Sequence, residues 1–302
     1  MKKRVITSMM LMLCLAAQQV FALRFRVRVP AGESGESSGA VKWIVYAIVI
    51  VVVAVTLYRY FFKARGLLRL FKGGFRMDEK TSLTEDQQRK ILLGAIYAMF
   101  DKGYLNSIKT GLEKEEREDR LKEDWNIDDH DTAVDALNDL KIACKKDYSS
   151  HIAEAFKLKD QKAIEEYLSE TFVNPNDAKA CAEQIGRAFK YIGNLVKEGI
   201  VKDEAEFSRI GGIAFDTTQL ISVARWCAES KYISEKELWE YVDFADEQAH
   251  KSFTSWEDYG KSYLIGYCLW GADGYELKYR APTVKKLMNE PDSPWQHFSF
   301  AK

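Results

Sequence analysis

Asp216 and Arg225 are charged residues set in a largely apolar stretch, and with Trp226 they are the first places to look for chemistry. A carboxylate there could act as a general base, and a guanidinium could clamp an anion. Nine residues separate them, about 900° of helix, so on one helix they face opposite ways and cannot pair with each other. Asp216 therefore fits a helix cap better than a base, and Arg225 fits a structural partner of a carboxylate or carbonyl better than an anion clamp. Tyr232, Glu235 and Trp256 complete the set of candidate binding residues, and no residue has the pattern of a catalytic one. His130, His151, His250 and His297 have no second ligand at the spacing a metal needs. Cys144, Cys181, Cys227 and Cys268 stand far apart in apolar contexts, where cysteine acts as a small hydrophobe. Glycine-rich phosphate loops, Gly-x-Ser-x-Gly elbows and His-Glu-x-x-His pairs are missing, so neither a metal nor a cofactor is expected.

The elements that must position these residues read as helices from Thr81 onward, which predicts an all-α, bundle-like domain over 77–302. Thr84 to Gln87 can open one helix, and Asp131 precedes another. Asn174-Pro175 opens a third, with Cys181, Ile185, Phe189, Ile192 and Val196 along one face. Asp216 with Gln219, Ser234 with Glu237, and Ser255 with Asp258 have the spacing of N-terminal caps, with Phe215/Leu220 and Ile233/Leu238 as hydrophobic staples for the first two. The ladder Trp256, Tyr259, Tyr263, Tyr267, Trp270 reads as buried core. Pro282, Pro291 and Pro294 suggest one short terminal helix wrapping over the bundle.

The near-balance of 44 basic and 45 acidic residues conceals a division. Residues 1–76 carry 13 basic and 2 acidic side chains, leaving 31 basic and 43 acidic in the rest, a net of −12. That acidity argues against a nucleic-acid binder, since phosphate contacts need clustered Lys and Arg. Residues 1–22 have the basic start, apolar run and small-x-small end of a signal peptide, and 23–42 form a short segment too rich in Gly and Ser to fold. The uncharged run Trp43 to Tyr58, extended to 62 by aromatic residues, predicts a transmembrane helix over 43–62. The neck at 63–76 is basic. Together with Arg59 it presents six cations and no acid, which places the domain after it in the cytoplasm by the positive-inside rule and suits contact with an anionic leaflet.

Phe215-Asp216, Ala224-Arg225-Trp226, Tyr232 to Glu237, Ser255-Trp256-Glu257 and Tyr263 to Trp270 together resemble the bacterial family of domain of unknown function 1266. Trp125-Asn126-Ile127 and Ser293-Pro294-Trp295 extend the resemblance across roughly 84–298. Phe215 stands where Trp is usual, and Asn126 and Lys231 stand where Gly is usual. The resemblance implies a helical domain and no particular activity. The expectation is thus a bacterial inner-membrane protein, single-pass after signal cleavage. Its acidic domain would bind a protein partner with a basic surface, in a regulatory or immunity-like role. The alternative is an enzyme with a pocket assembled around Asp216, Arg225 and Trp226.

Overall fold

The computed structural model describes residues 74–271 and 274–301; the expected signal segment, the expected membrane span and nearly all of the expected neck lie outside the described residues. Among the described residues the chain is helical, without a strand, and no helix is long and apolar enough to cross a membrane.

Helix α1 (Glu85–Ile91) opens with a capping box in which the Thr84 hydroxyl accepts from the Gln87 N–H and the Gln87 side chain accepts from the Thr84 N–H. It tightens into a 3-10 turn, Leu92–Gly94, before α2 (Ala95–Asp101). Then follow α3 (Lys114–Trp125), α4 (His130–Ala143), α5 (Ser149–Leu158), α6 (Gln161–Thr171) and the long α7 (Pro175–Lys197). The short α8 (Glu204–Ile210) leads into α9 (Ile213–Glu229), α10 (Glu235–Ser252), α11 (Trp256–Trp270), α12 (Gly274–Asn289) and α13 (Pro294–His297).

Helix α9 is the axis of the bundle. Every residue from Thr217 to Ala228 is buried, because α10 and α11 cover it along two sides while α4, the 3-10 turn, α2 and α3 close the others. Such a helix cannot be amphipathic, and its sequence is apolar or small nearly all round. Two of its hydroxyls and a facing phenol are satisfied internally. Thr218 donates to the Leu93 carbonyl at 3.0 Å, and the Tyr259 phenol donates to the same carbonyl at 2.9 Å. One charged pair is also enclosed: Arg89 of α1 reaches both carboxylate oxygens of Asp246 on α10, at 2.7 and 3.2 Å.

Several expectations need correction. Helix α9 starts at Ile213 with Gly212 as its N-cap, so Asp216 is the fourth helical residue and caps nothing. The reason is packing. A Cβ on Gly212 would lie 2.8 Å from the Gly266 Cα, and one on Gly266 would lie 2.2 Å from the Gly212 carbonyl oxygen, so α9 begins where two glycines let it cross α11. Asp129, not Asp131, caps α4. Phe189 and Val196 of α7 are only partly covered, and Trp270 at the end of the aromatic ladder is 64% exposed. Pro282 lies inside the sixteen-residue α12, where burial of Leu277, Ala281, Val284 and Leu287 outweighs the lost backbone bond. Arg76, expected in the neck, belongs to the folded body: its guanidinium donates to the Lys102 carbonyl at 2.8 Å and sits 4.1 Å from the centre of the Tyr104 ring.

Candidate functional site

The first turn of α9 forms one wall of a cavity of about 70 Å³. Gly211 and Gly212 bring the chain in tightly: Gly211 has φ +64°, and a Cβ there would lie 2.3 Å from the Ser149 hydroxyl. The start of α5, the middle of α7 through Gln184, and the end of α11 through Leu269 and Trp270 supply the other walls. Asp216 projects from α9 into this space, partly buried. It has no hydrogen-bond or ion-pair partner among the described residues, and burial pushes its carboxyl up to about 7. Nearby ionic groups do not answer it. The Lys146 ammonium turns to Asp177 at 3.5 Å, and Asp147 accepts the Ser149 N–H at 2.9 Å. The Gln184 amide, also facing the cavity, is likewise without a hydrogen-bond partner among the described residues.

Arg225 lies two and a half turns further along α9, about 13 Å away along the axis. It is buried, and its guanidinium donates to the carbonyls of Tyr104 and Lys109 at 2.7 and 3.1 Å, fastening the 102–112 loop onto α9. Burial lowers it to about 10, with Glu229 and Asp101 acting the other way. Trp226 is buried under Arg120, whose guanidinium lies 5.4 Å from the ring centre. Trp256 stacks on Trp295 at 4.9 Å and donates to the Phe298 carbonyl at 2.7 Å, which holds the C-terminal end. Glu235 is exposed in the first turn of α10, Tyr232 half-exposed just before it. The six candidates are therefore dispersed, and Asp216 alone among them lines the cavity. Lys146, Ser149, Gln184 and Leu269 were not singled out from the sequence, because they converge only through tertiary packing.

A second depression lies between Ile192, Gly193 and Val196 of α7 and the start of α8. It is open and mainly apolar, and its Asp203 is occupied in capping α8 through the Glu206 N–H at 2.8 Å. Among the described residues no cluster of three or more His, Cys, Asp or Glu could hold a metal ion.

The fold and site define an all-helical domain around a buried axial helix, with one uncompensated carboxylate in a small cavity. A model of a protein family of unknown function, DUF1266, matches residues 120–300, and the chain belongs to that family. Among curated proteins, the inner membrane protein YnjI of Escherichia coli strain K12 is 24% identical over 186 residues, covering 61% of this chain and 47% of that protein. The chain thus matches about half the length of this relative. No solved structure matches.

Proposed function

We propose that the chain is a single-pass inner-membrane protein whose acidic helical domain lies in the cytoplasm and binds a protein partner with a basic surface, without catalysing a reaction itself. The observation that carries this reading is the segregation of charge, 13 basic and 2 acidic residues up to position 76 followed by a net of −12. The first part suits a membrane anchor with a positive cytoplasmic flank, and the second gives a field that attracts a basic partner. The relative named as an inner membrane protein supports the location.

The test is affinity capture with the intact chain from detergent-solubilised membranes at low and raised ionic strength. A captured protein with a basic surface, released as salt rises, is the expected result. Capture only of neutral or acidic proteins, indifferent to salt, overturns the reading. A C-terminal epitope should also resist protease added to spheroplasts, and its digestion there would overturn the cytoplasmic placement.

A further inference from the structure

We propose that the cavity beside Asp216 receives a single cationic side chain, a lysine ammonium or an arginine guanidinium, from a protein partner. This rests on the reading of the domain as a partner-binding module and names the contact that module makes.

The argument starts from size. Sites for small organic molecules occupy roughly 300–1,000 Å³, whereas this cavity of about 70 Å³ has room for one side-chain head group. Its chemistry is that of a cation receptor. A carboxylate largely withdrawn from water and without a counter-charge is unfavourable, and an entering cation supplies both charge and hydrogen-bond donors. Asp216 is such a group, and the Gln184 amide oxygen can accept a further donor beside it. Leu269 and Phe215 provide apolar surface for the methylene stem of a long side chain. Trp270 at the rim is 64% exposed, an unusual setting for an indole, and its face offers cation–π contact to the arriving charge. The cation already present, Lys146, points to Asp177 at 3.5 Å and not to Asp216.

The carboxyl of Asp216, at about 7, must ionise before it can pair. The other titratable groups around it are Lys146, Asp147 and Tyr148 from the turn before α5, and the buried Cys144 thiol at the end of α4. α7 contributes Gln184, with Asp177 held by Lys146, and α11 contributes no titratable group to the wall.

The experiment uses the full chain in detergent micelles, labelled with [15N]tryptophan and titrated with n-butylammonium or n-butylguanidinium chloride, with sodium butyrate and sodium chloride as controls. The expected result is a saturable shift of the Trp270 indole with a millimolar midpoint for one or both cations, the stronger binder identifying the preferred side chain. The affinity should rise about tenfold from about pH 6 to about pH 8 as Asp216 ionises. Asp216→Asn should abolish the shift with the thermal melt retained, and Gln184→Leu should weaken it. Absence of a saturable shift, an undiminished response in Asp216→Asn, or tighter binding of butyrate than of either cation would overturn the proposal. The titration needs no partner, so the two readings fail separately: a positive titration with no captured partner overturns the module, and a negative one with capture retained overturns the role of the cavity.

Discussion

At the scale of single residues, Asp216 sets a tension between stability and binding. Its carboxyl ionises near the ordinary value of 3.8 in the unfolded chain but only at about 7 in the fold, so across that interval the folded state holds a proton that the unfolded state has released. Stability from this group therefore falls as pH rises from about 4 to about 7 and is level above. Asp216→Asn, which keeps the shape and removes the charge, should stabilise the protein by about 1–3 kcal/mol near pH 8 and by progressively less on acidification. Denaturant melts of the two proteins across this range measure the difference; a constant gap would show that the carboxyl ionises alike in both states. Arg225 presents the opposite case, a buried charge whose main-chain carbonyl partners make it part of the architecture.

At the scale of elements, local signals and tertiary packing divide the work. Ser234 and Glu237 form the expected capping box at the start of α10, with Ile233 and Leu238 buried as its staple, because these contacts are made within one turn of chain. Asn126 and Lys231, two departures from the family resemblance described above, both occupy left-handed backbone, at φ 54° and 67°. A glycine fits such a position without strain. Lys231→Gly relieves about 1–2 kcal/mol of left-handed strain against about 0.5–1 kcal/mol of added chain entropy, so it should raise stability by about 0.5–1 kcal/mol, seen as a shift of the denaturation midpoint at unchanged slope. Loss of stability would mean that the lysine side chain contributes more than its backbone costs. The start of α9 was not legible in this way. Asp216 with Gln219 has the spacing of a cap, but the true beginning is set by Gly212 lying against Gly266, fifty-four positions distant, and that proximity leaves no pattern in the local sequence. The same reason hid most of the cavity, whose walls come from four separated stretches. Asp216 was visible because a charge in an apolar run is conspicuous, even though its role as a cap was misread.

For the molecule as a whole, the folded domain includes residues slightly earlier than the charge pattern indicates. Arg76 is bound to the 102–111 loop, and Gly111 makes room for it, since a Cβ there would lie 2.9 Å from its Nη1. A fragment of residues 74–302 should fold as a helical domain by itself. One of 77–302 should also fold but be less stable by about 1–2 kcal/mol, having lost a charged hydrogen bond and a cation–π contact. Circular dichroism and thermal melts of both fragments provide the comparison, and equal melting temperatures would show that Arg76 contributes nothing to the fold.

The four cysteines of the body lie buried at the end of α4, in α7, in α9 and in α11, and burial raises every one of their thiols above the ordinary range. Each sulfur is unreactive while its surroundings stay shut and becomes reactive when they open. The native chain thus carries four built-in clocks, and the rates at which alkylating reagent reaches Cys144, Cys181, Cys227 and Cys268 would give the opening free energies of four regions of the bundle without a single engineered change.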